Sequence, residues 1–384
     1  MPRSAHLRRT GVAAAVAAVA LLSACGSAPE REPEPAAEGS GAPEAATATS
    51  VDDLGGFDAL VDAAQAEGEL NVIALPPDWA NYGEVISTFQ EKYDITVNSA
   101  QPDASSQDEI NAAEQLAGTD RAPDVFDLGQ TVALANEDMF APYQVQTWDD
   151  IPDELKHPEG AWVSDYGGYM AIGYDAAKVP APTAVEDLLG PEYRGAVALN
   201  GDPTQAGAAF SGVVMAALGT GGSADDIGPG IDFFEQLQDA GNFLPVDPAP
   251  ATIASGQTPV VIDWEYTNAA QTEALAGTGV DWQVVVPENA VVGSYYTQAI
   301  NADAPHPAAA RLWQEFLFSD EGQNLWLQGY ARPVRADAMD AAGTIDAEAF
   351  ARLPEPSGEP VFLSQEQTTA AQEQLTARWA AAVS

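Results

Sequence analysis

ELNVIALPPDWANYGEVISTFQEKYDITVNSAQPDASSQDEINAAEQLAGTDRAPDVFDL, residues 69–128, alternates between two kinds of pattern. Short apolar runs, which are typical of buried strands, occur at 69–75, 95–99 and 124–128. Helices are predicted between these runs. The apolar residues Val85, Ile86, Phe89 and Tyr93 have helical spacing, and a further helix is predicted at 107–117. Strands and helices in alternation predict an α/β fold with a parallel sheet covered by helices.

The rest of the chain predicts a second lobe with two connections to the first. Residues 168–174 (GYMAIGY) and 294–301 (SYYTQAIN) look extended, and we expect each to cross between the lobes. Lobe 1 is therefore predicted at 57–167 plus 302–384, and lobe 2 at 175–293. In this kind of architecture, ligands bind beyond the carboxyl ends of the strands, near helix N-termini.

The C-terminal region carries the clearest helical signal. One buried face is predicted from apolar residues at i, i+3, i+4 and i+7, namely Ala309, Leu312, Trp313 and Phe316. Ser319 is then predicted to cap the next helix, and Gly329 to end it. We expect a final helix, at about 364–380, to pack back on the body.

The N-terminus predicts export. Residues 1–24 have a basic head, an apolar middle too short to span a bilayer and a small-residue exit, as a secretory signal does. Leu22-Ser23-Ala24-Cys25 resembles a bacterial lipobox, in which the cysteine is acylated and becomes the new N-terminus. We therefore expect an extracytoplasmic protein anchored to the cell membrane through Cys25. The alternative is an ordinary signal peptide with an unrelated cysteine.

Residues 25–56 are rich in Pro, Glu, Ala, Gly and Ser and have few large apolar residues. Such a segment cannot bury enough apolar surface to offset its chain entropy, so we predict a disordered tether.

Composition narrows the classes of partner. The formal net charge of −44 opposes binding to nucleic acid and to anionic lipid headgroups. It does not by itself imply a cationic ligand, because exposed charges are screened within about 8 Å at physiological salt. A solubility adaptation accounts for most of these carboxylates equally well. The single cysteine excludes internal disulfides.

Residues 305–335 (PHPAAARLWQEFLFSDEGQNLWLQGYARPVR) resemble the C-terminal part of extracellular solute-binding proteins, the ligand-capturing subunits of ABC importers. Three further segments carry the same resemblance: 122–128 (APDVFDL), 187–199 (DLLGPEYRGAVAL) and 254–262 (ASGQTPVVI). The resemblance is strongest to the branch that contains ferric-ion, polyamine and thiamine binders. It implies a type II periplasmic-binding fold, whose two α/β lobes close over a ligand.

The resemblance also implies partners. A small molecule would be captured by a monomer and handed to membrane permease subunits, with a separate ATPase supplying the energy. Neither a cofactor nor a metal nor catalysis is expected of such a subunit. The favoured ligand is a polyamine-like organic cation.

Two loops carry the chemistry expected for a cation. Residues 76–82 (PPDWANY) follow a predicted strand and offer Asp78, Trp79 and Tyr82. A second group follows the strand at 259–263 and repeats the pairing of acids with aromatic rings, in Asp263, Trp264, Glu265 and Tyr266. Carboxylates supply charge and ring faces supply cation–π contacts. The alternative for the first loop is structural, in that Asp78 or Asn81 caps the helix that follows and Trp79 packs beneath it. The alternative for the second group is that Asp263 caps its own following helix.

Five further residues are candidates for ligand binding. Asp202 and Thr204 open a helix in lobe 2, where a plain N-cap is an equal alternative, and Gln130 opens a helix in lobe 1. Tyr295 and Tyr296 lie on the return crossing, where alternation predicts that one of them faces the cleft.

Other functions remain as alternatives. Ferric-ion members of the family that the chain resembles bind iron through an adjacent tyrosine pair, which here would be Tyr295 and Tyr296. A phosphorylated or anionic solute would fit the same fold. A secreted hydrolase that uses two carboxylates is the alternative from another class, since acidic residues are too numerous to exclude such a pair. No Gly-x-Ser-x-Gly motif occurs, and the Gly-rich run at 219–230 lacks the lysine of a phosphate-binding loop.

Overall fold

The computed structural model describes residues 45–353 and 358–384. The predicted signal segment, Cys25 and residues 25–44 of the predicted tether lie outside the described residues. Within the part that is described, every helix is too short or too polar to span a bilayer.

The first lobe contains the elements of the alternating region. Its strands are β1 (Glu69–Ile73), β2 (Thr96–Ala100), β3 (Val125–Gly129) and β4 (Phe140–Ala141). Its helices are α1 (Phe57–Glu67), α2 (Tyr82–Tyr93), α3 (Ser106–Leu116) and α4 (Gln130–Ala135). Strands β1 and β2 pair in parallel, as the alternation predicts. Helix α3 begins with a capping box, in which Ser105 and Asp108 satisfy each other's backbone N–H groups.

Two long strands, β5 (Trp162–Asp175) and β9 (Gly293–Asn301), run between the lobes. The first part of β5 pairs with β9, which in turn pairs with β3 of the first lobe. Its second part pairs with strands of the second lobe. These strands contain the segments 168–174 and 294–301, for which crossings are predicted.

The second lobe lies between the crossing strands in sequence. Its strands are β6 (Val197–Leu199), β7 (Val260–Trp264) and β8 (Trp282–Val285). Its helices are α5 (Gly207–Gly219), α6 (Gly228–Ala240), α7 (Pro250–Ala254) and α8 (Glu265–Ala274). The main sheet has the order β3-β9-β5-β7-β6, and β6 pairs in parallel with β7. Helix α5 is buried almost all round, as its continuous apolar sequence requires.

The C-terminal elements are divided between the lobes. They are α9 (Pro307–Leu317), α10 (Asp320–Gln328), β10 (Arg332–Pro333), α11 (Ala336–Ala342), α12 (Ala347–Phe350) and α13 (Gln365–Ala382). Helix α9 packs on the first lobe, with the Trp313 ring 5.0 Å from that of Phe89. Helix α13 instead packs on α6, where Trp379 lies 5.2 Å from Phe234. The assignment of all residues from 302 to 384 to lobe 1 therefore needs correction for α13, because its buried tryptophan lies against the second lobe.

The predicted tether also needs correction, because residues 45–56 are packed against the body. Ala45 is completely buried and Ala48 is 3% exposed. The buried guanidinium of Arg311 donates hydrogen bonds to the carbonyls of Ala48 (2.9 Å), Ala46 (3.1 Å) and Pro307 (3.0 Å). This contact joins residues more than 250 positions apart, so the low apolar content of the segment gave no indication of it.

We expect the substitution Arg311→Met to destabilise the protein by about 2 kcal/mol or more, because three backbone carbonyls lose a charged donor. Urea unfolding would measure this loss, and limited proteolysis should cut earlier near residues 45–56. Arg352→Met is the matched control, since Arg352 is largely exposed, and its effect should stay within about 0.5 kcal/mol. Equal stability losses in the two variants would contradict the anchoring role.

Candidate functional site

A cleft of about 550 Å³ lies between the two lobes. Its walls are segments that follow the carboxyl ends of β1 and β2 in the first lobe and of β6 and β7 in the second. This is the position at which α/β folds bind ligands, because loops and helix N-termini converge there.

The cleft is lined by acids. Eight carboxyl side chains face it, those of Asp78, Asp103, Asp108, Glu109, Asp127, Asp202, Asp247 and Asp263. Among the described residues that line it, none is a lysine, an arginine or a histidine. Like charges gathered in a concave site raise the local concentration of cations and oppose anions.

Asp127, in the middle of β3, is the buried centre of the first-lobe wall. Its Oδ2 accepts the hydroxyls of Tyr82 and Tyr166, each at 2.8 Å. Its Oδ1 has no hydrogen-bond partner within the described part of the chain. Tyr166 in turn accepts a hydrogen bond from the indole N–H of Trp79 at 2.8 Å. Asp127 thereby holds the loop that carries Trp79 in place through Tyr166. Its Oδ1 stays available at the cleft wall.

A second buried acid lies across the cleft at the end of β7. Asp263 is 3% exposed and accepts the backbone N–H of Trp264 at 2.8 Å. Burial raises the pKa of Asp263 to about 7. Burial likewise raises the pKa of Asp127, and it raises that of Asp165, a neighbour on β5, well above its ordinary value. Buried carboxyls hold their protons because the charged form is poorly solvated.

Aromatic rings from three segments meet beside these acids. The ring centroid of Trp79 in the first lobe lies 5.8 Å from that of Tyr266 in the second lobe and 5.7 Å from that of Tyr296 on the crossing strand β9. Tyr296 also stacks on Tyr166 at 5.5 Å. The rings therefore connect both lobes to the crossing strands.

The lobes also touch through two glycines. A Cβ on Gly129, at the end of β3, would lie 3.1 Å from the Cα of Gly207, which begins α5. A Cβ on Gly207 would be equally close to Gly129. The absence of side chains at both positions permits this close approach of the two backbones.

Comparison with known proteins identifies the family. The profile of the bacterial extracellular solute-binding proteins matches residues 123–354. The chain belongs to this family. No curated protein sequence matches it.

Solved structures similar to this solute-binding protein share its two-lobed fold. The periplasmic binding protein AfuA from Actinobacillus pleuropneumoniae, with fructose-6-phosphate bound, has a TM-score of 0.64 and 16% identity over 83% of this chain and 99% of its own. A ferric binding protein from Campylobacter jejuni has a TM-score of 0.62 and 15% identity over 82% of this chain and 99% of its own. A putative spermidine/putrescine ABC transporter protein from Listeria monocytogenes has a TM-score of 0.59 and 15% identity over 82% of this chain and 99% of its own. At these identities the similarity shows the fold alone.

Some predicted site residues of the solute-binding protein line the cleft, and others do not. The cleft wall includes Asp78, Trp79, Asp202, Asp263 and Tyr296. Asp202 accepts hydrogen bonds from the hydroxyl and backbone N–H of Thr204, so this pair forms a local turn ahead of α5, whose N-cap is Ala206 and not Asp202.

Six predicted residues need correction, because none of them lines the cleft. Tyr82 is completely buried, because its hydroxyl supports Asp127 from within the first lobe. Glu265 is also buried and accepts the backbone N–H of Tyr169 on β5, which directs it away from the cleft. Gln130 and Tyr295 line a neighbouring cavity of about 580 Å³, which shares Gly207 and Tyr296 with the cleft wall. Trp264 borders that second cavity too, and Tyr266 is enclosed among the rings.

The adjacent tyrosines do not form a chelating pair. Tyr295 stacks on Phe362 at 6.2 Å, whereas Tyr296 stacks on Tyr166 at 5.5 Å. Successive side chains of a strand point to opposite faces, so the two hydroxyls diverge. In residues 45–353 and 358–384, no three His, Cys, Asp or Glu side chains form a group that could hold a metal ion.

Sequence reasoning missed the residues behind the cleft wall. Gln298 on β9 donates to Tyr82 and to Asp165, each at 3.0 Å, and completes the network around Asp127. A signal for Asp127 was present, since it is an acid inside the apolar run at 124–128, as Asp263 is inside its own strand. The local sequence pattern could not identify the hydrogen-bond partners of Asp127, because they come from distant parts of the chain.

The raised pKa of Asp263 makes stability depend on pH. With a pKa of about 7 in the folded state and 3.8 as the ordinary value, the folded protein holds a proton that the unfolded chain releases. The stabilisation that this proton contributes is complete below about pH 4 and is lost as the pH rises to about 7. Between these values the free energy of unfolding falls by about 1.4 kcal/mol per pH unit. We therefore expect Asp263→Asn, which mimics the neutral acid, to be more stable than the natural protein at pH 7.5.

Urea unfolding between pH 4.5 and 7.5 would measure this difference. Asp247→Asn, at an exposed position of the same cleft, is the control and should follow the natural protein across the range. A difference between Asp263→Asn and the natural protein that stayed constant with pH would contradict the assignment.

Proposed function

We propose that this solute-binding protein captures a small organic cation, polyamine-like in charge and size, and delivers it to the permease of an ABC importer. The observation that carries the proposal is the charge of the cleft, in which eight carboxyl groups face the ligand space and none of the described lining residues is basic.

The buried acids distinguish this proposal from a general solubility adaptation. Carboxylates added for solubility lie in water, whereas Glu109, Asp127 and Asp263 are 1%, 6% and 3% exposed. A buried, unpaired charge costs several kcal/mol, which a bound cation would offset. An anionic solute would add to this cost, so the charges disfavour the phosphorylated or anionic alternative.

The arrangement of the lobes suits capture and release. The cleft walls belong to different lobes, and the crossing strands β5 and β9 provide the connection about which a hinge motion can occur. The Gly129 and Gly207 contact defines how closely the lobes approach. A ligand that contacts both walls stabilises the closed arrangement by its differential affinity.

Calorimetry at pH 7.5 with putrescine, spermidine, ferric citrate and fructose-6-phosphate would test the ligand class. We expect heat from a cation and none from the phosphate ester. Asp263→Asn should weaken cation binding at least about tenfold, because a buried charge partner is removed. Asp247→Asn is the control and should have a smaller effect, since it lies at an exposed edge. Binding of fructose-6-phosphate without binding of any cation would contradict the proposal.

We also propose that Cys25 carries a lipid anchor, on the support of the sequence Leu22-Ser23-Ala24-Cys25. Two acyl chains bind a bilayer far more firmly than one, so an acylated cysteine would hold the protein at the membrane. The substitution Cys25→Ala should release the protein into the medium, as measured by fractionation of cells. Cys25→Ala protein that stays with the membrane would count against the anchor, and Ser27→Ala is the control that should remain attached.

A further inference from the structure

The two carboxyl oxygens of Asp127 have different surroundings. Asp127 lies on β3, is 6% exposed and belongs to the cleft wall. Its Oδ2 accepts two hydroxyls, those of Tyr82 and Tyr166, each at 2.8 Å. Its Oδ1 accepts no hydrogen bond within the described residues. Because each carboxyl oxygen has two lone pairs, Oδ2 is fully used by the protein and Oδ1 is the atom that a ligand can contact.

The direction of both hydroxyl hydrogen bonds is fixed by further donors. Tyr166 accepts the indole N–H of Trp79 at 2.8 Å, and Tyr82 accepts a side-chain N–H of Gln298 at 3.0 Å. Indole and amide N–H groups can only donate, so each phenol must direct its single proton to Oδ2 of Asp127. Oδ2 therefore has no room for a proton of its own. When Asp127 is neutral, its proton lies on Oδ1.

The neighbours of Asp127 offer it no positive charge. No ion pair of the described residues includes Asp127. The titratable groups that face it from five elements are acids and phenols: Tyr82 on α2, Glu109 on α3, Asp165 and Tyr166 on β5, Tyr266 on α8 and Tyr296 on β9. Burial in these surroundings raises the pKa of Asp127, so the carboxyl keeps its proton until a cation approaches.

We infer that a protonated amine binds to Oδ1 of Asp127 in exchange for the proton held there, so that capture of the cation releases a proton to the solvent. The amine keeps its own protons and donates one N–H to Oδ1, and the proton of Asp127 passes to water or buffer. This inference rests on the proposed function, because it names the atom that receives the cation.

The exchange keeps the charge of a buried position balanced. A cation beside a neutral carboxyl would be a buried charge without a partner, and an ionised carboxyl alone would be another. Since one positive charge replaces another at the same oxygen, neither of these costly states is needed. Protonation and binding then compete for one atom, so the affinity for the cation falls as the pH is lowered.

Calorimetry with putrescine at pH 6.5 in phosphate, PIPES and ACES would count the released protons, because the measured heat varies with the ionisation enthalpy of the buffer in proportion to that number. None of these buffers has a net positive charge that could compete for the cleft. We expect about one proton or more for each putrescine bound. Putrescine binding without proton release would overturn the inference and leave the proposed function intact. Binding of fructose-6-phosphate without binding of any cation would overturn both.

The substitution Asp127→Asn tests which group holds the proton. The side-chain carbonyl of asparagine can still accept both hydroxyls, whereas its NH₂ group takes the place of Oδ1. We expect this variant to fold, to bind putrescine about tenfold or more weakly, and to release about one proton fewer than the natural protein. Asp149→Asn is the matched control, since Asp149 is exposed and lies outside both cavities, and it should match the natural protein in affinity and proton release.

Asp263→Asn separates the two buried acids of the cleft. Its Asp127 is unchanged, so putrescine should still release a proton from this variant. Proton release that is unchanged in Asp127→Asn, or abolished in Asp263→Asn, would contradict the assignment to Asp127. The natural protein gives an independent measurement, in which the affinity for putrescine should fall up to about tenfold for each pH unit below the pKa of Asp127. An affinity that stays constant between pH 5.5 and 7.5 would overturn the exchange, even where Asp127→Asn binds too weakly for calorimetry.

Discussion

The carboxyl group of Asp127 ties the first lobe to the crossing strands. It accepts hydroxyls from Tyr82 on α2 and Tyr166 on β5, and Tyr166 accepts the indole N–H of Trp79. A buried acid without partners is costly, so its donors are held where they satisfy it. The position of the loop after β1 therefore follows from a hydrogen-bond network that starts at Asp127 in β3.

The acids of this network are buried at an electrostatic cost. Burial raises the pKa of Asp127 and Asp165, and it raises the pKa of Glu109 well above its ordinary value. Each of these acids is more easily kept neutral than charged in the absence of a cation. Hydrophobic residues at the same positions would stabilise the fold, but they would remove the carboxyls on which the proposed cation binding depends. Under that proposal, stability is exchanged for binding at the cleft, as functional sites commonly require.

The local parts of the fold could be predicted from the sequence. The alternation over residues 69–128 gives the strands and helices of the first lobe, and the predicted cap at Ser319 is confirmed by its hydrogen bond from Gly322. Periodicity and capping depend on neighbours within a few residues, so they can be recognised in a single sequence.

The parts that depend on distant contacts were not predicted. Tyr82 looked like a cleft residue because the loop beside it is polar, but its hydroxyl meets Asp127 inside the lobe. The ordered segment at 45–56 depends on Arg311, and the place of α13 depends on Phe234. At the candidate site, the sequence indicated acids and aromatic rings after β1 and β7. It could not indicate that rings from three segments pack against one another.

The acids of the cleft have different consequences for binding according to their position. Under the proposed function, exposed carboxylates such as Asp247 would attract any cation in the open and the closed protein alike, so they would favour encounter more than closure. Asp127 and Asp263 are buried in walls of the cleft that belong to different lobes. A ligand shifts a conformational equilibrium by its difference in affinity for the two states, so a cation that contacts both walls at once would be the one that drives closure. A cation that contacts one wall alone would bind without closing the lobes.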